Sequence, residues 1–319
     1  MAEGQAVAPD VCVVGEINPD LILYGLPRRL EPEKEILASG LRLTLGSSSA
    51  IFAHNLSALG TRVGMISKVG SDSFGKVALD RLIEGGVDVS HVSKDLETPT
   101  GLTIILAQPT SRYILTYPGT IFELRYDDLD FDYILSARHL HIASYFLQQG
   151  LRPQVAEIFC AAKNKGLTTS LDTNDDPDDK WEKSELIQAL GFVDLLFVNE
   201  REAKKITRND DVNDALVQLS DLCGTLVIKL GAKGVIAKRK SETWRSDALK
   251  VDVVDTVGAG DSFDAGYIHR FLQGAEPQEC LKSGNAVGAY STTQEGGSEA
   301  FRDGERMRAF LRKSGLHLS

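Results

Sequence analysis

The most informative stretch of the sequence is Asp255-Thr256-Val257-Gly258-Ala259-Gly260-Asp261-Ser262-Phe263-Asp264-Ala265-Gly266-Tyr267. It lies between the apolar run Val251–Val254 and a helix-like stretch that continues to Leu272, so the pattern predicts a strand, a glycine turn and a helix. Glycines at two alternate positions let backbone N–H groups approach an anion at a helix N-terminus, where the helix dipole favours phosphate. The sequence therefore predicts an anion hole at Gly258, Ala259 and Gly260.

Asp261 follows this turn directly and would lie in the first helical turn, beside a bound phosphate. A carboxylate there can accept the proton of an attacking hydroxyl, a role usually worth about 10²–10⁴-fold in rate. An ordinary carboxylate is ionised at neutral pH and needs no unusual pKa to serve in this role. A glycine turn and one acid fit a second interpretation equally well, in which Asp261 only compensates the helix dipole.

The composition indicates a globular protein and argues against several classes of partner. The chain has 319 residues, 42% of them hydrophobic, which is enough for one large domain or two unequal ones. The net charge of −10 opposes a nucleic-acid-binding surface. The chain contains no apolar run long enough for a membrane helix, and residues 1–10 lack the features of a signal peptide. We therefore expect no nucleic acid, no membrane association and a cytoplasmic location.

The cysteines support the same compartment. Their spacing forms neither a Cys-x-x-Cys pair nor a dense framework, so zinc and structural disulfides are not expected. We interpret all of them as reduced thiols. These residues are Cys12, Cys160, Cys223 and Cys280.

Short β-branched runs alternate with amphipathic segments along most of the chain, a pattern typical of a parallel sheet covered by helices. The predicted strands are Val11–Val14, Val63–Val69, His139–Ala143, Thr168–Asp172, Leu195–Val198 and Thr225–Lys229. The predicted helices are Ala50–Leu59, Lys76–Glu84, Pro153–Lys165 and Val212–Leu222.

Two regions, residues 21–45 and 100–116, break this alternation because they look extended and lack a helical period. They could pair into a small separate sheet. Since no repeat or flexible linker separates them from the rest, we expect an insertion on a single domain spanning residues 1–319.

The stretch around Asp261 resembles the C-terminal signature of the PfkB, or ribokinase-like, carbohydrate kinases, and further motifs of that family occur in order along the chain. These motifs are Gly15–Asp20, Val69–Gly75, Leu171–Asn174, Asn199–Glu202 and Lys229–Gly234. The resemblance implies a three-layer α/β/α fold with a mostly parallel sheet and a small β-sheet lid. It also implies ATP-dependent phosphorylation of a hydroxyl on a small sugar or sugar-like substrate.

The same resemblance implies a role for each matching residue. Asp261 would activate the acceptor hydroxyl above the anion hole, and Asp20 would hold other hydroxyls of the acceptor. ATP would contact Lys229, Gly231, Gly234 and Asn285. Magnesium and phosphates would be approached by Asn199 and Glu202, and a monovalent cation such as potassium by Asp255 and Val257. The lid would cover the sugar and pair with a second subunit.

The sequence departs from the family in the stretch Gly46-Ser47-Ser48-Ser49-Ala50-Ile51. The residues of this stretch predicted to bind the acceptor are Gly46, Ser47, Ser48 and Ile51. Ser47 stands where the family usually has glycine, and Ile51 where it has an asparagine that contacts sugar hydroxyls. The serines fit either replacement hydroxyls or helix caps, and Asp20 and Asn199 also fit caps. The apolar Ile51 leaves a nucleoside kinase open as an alternative. A non-catalytic ligand-binding protein on the same scaffold is a third hypothesis.

Overall fold

A computed structural model describes residues 8–108 and 111–316. Residues 109–110 of the second predicted lid segment lie outside the described residues, as do residues 1–7 of the region assessed for a signal peptide. In the described part of the chain, no helix is both long and apolar enough to cross a lipid bilayer.

Thirteen strands form two sheets within the described ranges. The strands are β1 Val11–Val14, β2 Pro19–Tyr24, β3 Gly40–Leu45, β4 Val63–Gly70, β5 Asp88–Asp95, β6 Leu102–Ala107, β7 Arg112–Tyr117, β8 His139–Ile142, β9 Thr168–Asp172, β10 Leu195–Asn199, β11 Thr225–Lys229, β12 Val235–Arg239 and β13 Glu242–Ser246. The main sheet has the order β13-β12-β11-β10-β9-β8-β1-β4-β5. Its seven strands from β11 to β5 are parallel, and only β12 and β13 run antiparallel to their neighbours.

Helices cover both faces of the main sheet and bury its two apolar surfaces. They are α1 Ser48–Ala58, α2 Ser73–Glu84, α3 Phe131–Ser136, α4 Val155–Lys165, α5 Ser184–Leu190, α6 Glu200–Thr207, α7 Val212–Ser220, α8 Ala259–Leu272, α9 Pro277–Ser291 and α10 Gly304–Lys313. Side chains of β1 alternate between the two cores: Val11 and Val13 face α1, α2, α8 and α9, whereas Cys12 and Val14 face α4 and α5. This arrangement is the predicted three-layer α/β/α architecture.

The second sheet has four strands in the order β3-β2-β6-β7 and is called the small sheet below. Its strands come from the two regions predicted to form a separate sheet, and that prediction is confirmed. Alternation along the strands gives the small sheet one apolar face. Cross-strand pairing aligns this face in register, and its residues are Leu21, Leu23, Leu41, Leu43, Leu102, Ile104, Leu106, Tyr113, Leu115 and Tyr117.

The six predicted strands and four predicted helices of the main domain are present, with ends shifted by at most a few residues. The strand predicted at Val251–Val254 is wrong, because this run pairs with no strand and leads into the glycine turn as irregular backbone. Val253 and Val254 are 59% and 58% exposed. An apolar run of this length looks the same in sequence whether it fills a sheet or lines a surface cleft.

Parallel pairing places the carboxyl ends of the central strands along one edge of the main sheet. Asp172, Asn199 and Lys229 end β9, β10 and β11 there, and Glu16 follows β1. Crevices outside this edge are where open α/β sheets bind ligands. The topology therefore gathers side chains that are far apart in sequence.

Candidate active site

The glycine turn adopts the predicted geometry at the start of α8. Gly258 has φ of 70°, in the left-handed region, and α8 begins at the next residue. A β-carbon on Gly258 would also lie 2.6 Å from the Cα of Gly297. Only glycine meets both conditions at little cost. First-turn N–H groups have no partner within the helix, so those of Gly260 and Asp261 can bind an anion, whereas the N–H of Ala259 donates a long 3.4 Å bond to the carbonyl of Thr256.

Helix α1 supports this turn from behind. The side-chain amide of Asn55 donates to the carbonyl of Gly297 (3.0 Å) and to the hydroxyl of Ser262 (2.9 Å). Ser262 in turn donates to the carbonyl of Gly258 at 2.6 Å. Asn55 is fully buried, so these bonds replace its hydration completely. Sequence reasoning assigned Asn55 no role in the site, because its burial against the glycine turn appears only in the fold.

Ile51 belongs to the same support. Its side chain is 3% exposed and packs against Gly258 and Gly297. Packing therefore accounts for an apolar residue at position 51. The apolar character of Ile51 then says nothing about the polarity of the acceptor. A direct contact between Ile51 and the acceptor stays a prediction.

Asp261 lies in the first turn of α8, as predicted, but its pKa is not ordinary. Burial, and after it the negative charge of Asp172, raises the pKa of Asp261 to about 7. Lys229 and the hydroxyl of Ser48 act in the opposite direction. The sequence could not show how many carboxylates surround Asp261, so this rise in its pKa was not predictable from the sequence.

Asp20 approaches the same space from the small sheet. It lies on β2 and is 5% exposed, and its carboxylate receives a hydrogen bond from none of the described residues. Burial, followed by the charges of Asp261 and Asp255, raises the pKa of Asp20 to about 7. A β-carbon on Gly46 would lie 2.0 Å from Oδ1 of Asp20, so Gly46 is needed to admit this carboxylate. Asp20 and Asp261 therefore form a pair of carboxylates with spare acceptor capacity.

Glu16 organises the serines that precede α1, and sequence reasoning missed it. Its buried carboxylate accepts from the Ser49 hydroxyl at 2.6 Å, the Ser144 hydroxyl at 2.7 Å and the Ser48 backbone N–H at 3.0 Å. Ser47 caps α1, since its hydroxyl accepts from the N–H of Ala50 at 3.1 Å. Each of the two interpretations therefore fits one serine. Ser47 is a helix cap, whereas the hydroxyl of Ser48 faces Asp261 in the site.

A cavity of about 870 Å³ opens beside the glycine turn and brings together the four residues predicted to contact ATP. These are Lys229, Gly231, Gly234 and Asn285, and Ala259 and Gly260 line the same cavity. Gly234 has φ of 87°, and a β-carbon there would lie 2.1 Å from the carbonyl oxygen of Ser246. The amide of Asn285 donates to the carbonyl of Asp247 at 2.9 Å. A second cavity, of about 820 Å³, is lined by none of the predicted site residues.

Lys229 ends β11 in a cluster of acids. Its ammonium lies 2.7 Å from Oδ2 of Asp172 and 3.1 Å from Oδ2 of Asp264. Both carboxyl groups are 1% exposed. The sequence predicted a site role for Lys229 but not for these two acids. Asp264 could have been found from its position one helical turn after Asp261, on the same side of α8.

Asn199 and Glu202 form a capping box at the start of α6. The side chain of Asn199 accepts from the N–H of Glu202 at 2.9 Å, and Glu202 accepts from the N–H of Asn199 at 2.8 Å. The alternative interpretation of Asn199 as a cap therefore describes its contacts. Burial, and then the charge of Asp172, raises the pKa of Glu202 to about 8. Contact with magnesium or phosphate stays a prediction for both residues.

Asp255 connects the glycine turn to its surroundings. Its carboxylate accepts from the hydroxyl of Tyr24 (3.1 Å) and from the N–H groups of Gly296 and Val257 (3.0 Å each). These three donors occupy the carboxylate. The monovalent-cation site at Asp255 and Val257 gains no support from this geometry and stays a prediction.

Comparison with known proteins places this arrangement in a family. Residues 8–303 match the family described as pfkB family carbohydrate kinase. The chain belongs to the pfkB family of carbohydrate kinases. The family resemblance drawn from the glycine turn and the ordered motifs is confirmed.

Characterised relatives within the pfkB family cover nearly the same length. The chain is 30% identical over 283 residues to a 2-dehydro-3-deoxygluconokinase of Bacillus subtilis, covering 84% of this chain and 86% of that protein. It is 26% identical over 310 residues to a ribokinase of Haemophilus influenzae, covering 94% and 97%. The fold matches the crystal structure of a putative ribokinase II from E. coli in complex with ATP and Mg²⁺, with TM-score 0.84, 22% identity and coverage of 96% and 99%. The ribokinase-like fold is therefore confirmed.

Proposed function

We propose that this pfkB-family protein transfers the γ-phosphoryl group of ATP to a hydroxyl of a small sugar-like acceptor, with Asp261 as the base. The observation that carries this proposal is the position of Asp20 where the small sheet meets the glycine turn: after burial, the charge of Asp261 is the next cause that raises the pKa of Asp20. Hydroxyl groups of an acceptor would supply the donors that Asp20 lacks among the described residues. An acceptor bound there has its attacking hydroxyl beside Asp261 and beside the anion hole.

The cavity next to the turn supports ATP as the donor. The predicted nucleotide residues line the same cavity as Ala259 and Gly260. A nucleotide bound in this cavity would therefore direct its phosphates at the N-terminus of α8. Phosphoryl transfer depends mainly on positioning and charge compensation, and an anion hole supplies both. Attack by the acceptor hydroxyl is in line, and no covalent enzyme intermediate is needed.

Magnesium would enter with the nucleotide, chiefly bound by phosphates and water. Magnesium bound by phosphates usually keeps several waters in its coordination sphere. Asn199 and Glu202 would contact its waters. A dication nearby favours ionised Glu202, whose pKa of about 8 otherwise keeps the carboxyl largely protonated at neutral pH. Magnesium would neutralise charge on the transferring phosphoryl group.

The small sheet would act as a lid over the acceptor, and its apolar face would bind a second copy of the chain. Its exposed members include Leu41 at 66% and Tyr117 at 54%, and β7 is an edge strand. A contiguous apolar face of this kind marks an interface. Sedimentation of the wild type and of a Leu41→Lys variant tests this: a dimer that the variant weakens is expected, whereas a wild-type monomer would exclude it.

The nucleoside-kinase alternative depended on an apolar Ile51 in the acceptor pocket, and the buried position of Ile51 removes that argument. A screen of ADP release decides the acceptor class, with pentoses, hexoses, keto-sugar acids, inositols and nucleosides as substrates. We expect turnover with a polyhydroxylated sugar or sugar acid. Tight ligand binding without turnover under any nucleotide would instead support the non-catalytic alternative and overturn the proposal.

A further inference from the structure

Lys229 lies at the boundary between the nucleotide cavity and a buried acidic cluster. A β-carbon on Gly260 would lie 3.3 Å from its ammonium nitrogen, so the charge sits against the anion-hole backbone. The same side chain lines the cavity and is 15% exposed. Its aliphatic stem therefore lies in the protein interior, and its charged end lies beside Gly260 at the cavity wall.

Two buried acids hold this ammonium from the other side. Asp172 comes from the end of β9 and Asp264 from α8, so Lys229 is fixed between a strand and the helix that carries the anion hole. Burial alone would lower the pKa of Lys229, but the two carboxylates outweigh it and the pKa lies above its ordinary value. Lys229 is thus charged at every pH at which the enzyme would work.

The two acids differ in the direction of their pKa. Burial would raise the pKa of Asp172, but Lys229 outweighs it and the pKa lies below the ordinary value. Burial raises the pKa of Asp264 above its ordinary value, and Asp172 adds to this rise. Asp172 therefore forms the stronger ion pair with Lys229, while the carboxyl of Asp264 lies 3.1 Å from the same ammonium. Asp264 thereby fixes the ammonium from the helix that carries the anion hole.

We propose that Lys229 is a fixed cation of the phosphate site and that Asp264 is the positioning residue that holds its ammonium against Gly260. This inference rests on the proposed function and adds to it a source of charge compensation that belongs to the protein. A cation placed in advance stabilises developing phosphate charge without reorganisation during the reaction. The competing explanation is a purely structural ion pair, of a kind that often contributes little to stability.

Four proteins separate these explanations: the wild type, Lys229→Met, Asp264→Asn, and the double variant. Each is examined by thermal unfolding and by calorimetric titration with ATP and Mg²⁺. Lys229→Met leaves Asp172 buried without its cation, so we expect a marked loss of thermal stability. Adding Asp264→Asn supplies an amide donor to Asp172, so the double variant should recover part of that loss. ATP affinity should nevertheless stay at least about tenfold below the wild type in both proteins that lack Lys229.

The pH profile of kcat reports the charge of Lys229 beside Asp261 independently of thermal stability. The charged or titratable groups near Asp261 are Asp20, Glu16, Asp172, Asp264 and Lys229, and only Lys229 lowers its pKa. Loss of Lys229 should therefore move the acidic limb of the kcat profile to higher pH. In the Lys229→Met background, Asp264→Asn should add no further shift of that limb. A double variant with wild-type ATP affinity and an unmoved limb would overturn the inference. If the wild type phosphorylates no acceptor, the proposed function fails, and ATP affinity alone then decides this inference.

Discussion

The hydroxyl of Tyr24, on β2 of the small sheet, donates a 3.1 Å hydrogen bond to Asp255, the first residue of the glycine-turn stretch. A second bond joins the two regions, from the guanidinium of Arg112 on β7 to the hydroxyl of Thr256, at 3.0 Å. Between them Val257 packs against apolar side chains of the small sheet. The sheet that would bind the acceptor and the turn that would bind phosphate are therefore mechanically connected.

This connection predicts the effect of Tyr24→Phe, which removes one hydroxyl and leaves the ring. We expect acceptor-dependent turnover to fall by about fivefold to twentyfold and ATP hydrolysis without acceptor to rise, because a loosened lid admits water. A coupled assay of ADP release with and without acceptor measures both rates. Tyr113→Phe, on the opposite face of the small sheet, is the matched control and should match the wild type in both rates. Equal behaviour of the two variants would mean that the Tyr24 bond has no role.

Gly46→Ala tests the acceptor side of the site. The new methyl group would lie 2.0 Å from Oδ1 of Asp20, so the carboxylate must move. We expect the KM for the acceptor to rise at least about tenfold, because Asp20 loses its position, with the KM for ATP within about twofold of wild type. Gly40→Ala, at the start of β3, the strand that ends just before Gly46, places its methyl group at an ordinary distance of 3.5 Å from Tyr24 and serves as the control. An unchanged acceptor KM would remove Asp20 from the acceptor site.

Two glycines of the nucleotide cavity should differ in their response to alanine. Both have positive φ, but a β-carbon on Gly234 would lie 2.1 Å from the Ser246 carbonyl, whereas one on Gly231 meets nothing within 4 Å. Gly234→Ala must displace the backbone beside the cavity, so we expect ATP affinity to fall at least about tenfold. Gly231→Ala should show only the smaller effect of backbone strain. Calorimetric titration measures both affinities, and a larger loss in Gly231→Ala would contradict the assignment of this cavity.

The raised pKa of Asp20 predicts how stability depends on pH in the absence of ligands. Below pH 4 the carboxyl is protonated in both the folded and the unfolded chain and has no effect. As pH rises towards 7 the unfolded chain ionises first, so the folded state loses stability, and the loss is complete above the folded pKa of about 7. Asp20→Asn should therefore raise Tm by several degrees at pH 8 and by much less at pH 4. The control is Asp252→Asn, an exposed acid, which should leave Tm nearly unchanged at both values. If Asp20→Asn raised Tm more at pH 4 than at pH 8, the predicted pH dependence would be contradicted.

Much of this structure follows from local patterns in the sequence. The parallel strands are continuous apolar runs. The glycine turn was predictable because glycine at position 258 readily adopts the positive φ that the turn uses. The small sheet was predictable because its segments lack a helical period. The run Val251–Val254 was misjudged because an apolar stretch does not reveal whether it has a strand partner.

The electrostatics of the site could not be obtained in the same way. Asp172, Glu202 and Asp264 lie on β9, α6 and α8, and only the tertiary fold brings their charges near one ammonium group. The raised pKa of Asp261 is a consequence of that convergence and of burial. From the sequence alone, the apolar Ile51 indicates a less polar acceptor. Its packing partner Gly297 is 246 positions away, so the sequence could not show that Ile51 has a packing role.

The most direct measurement of the central claim compares the wild type with Asp261→Asn in two assays. Calorimetry should give an ATP affinity within about threefold of wild type, because the anion hole and the cavity are intact. Acceptor-dependent ADP formation should fall at least about 100-fold, since the attacking hydroxyl has lost its proton acceptor. Turnover close to that of the wild type, with ATP still bound, would contradict the account of Asp261 as the catalytic base.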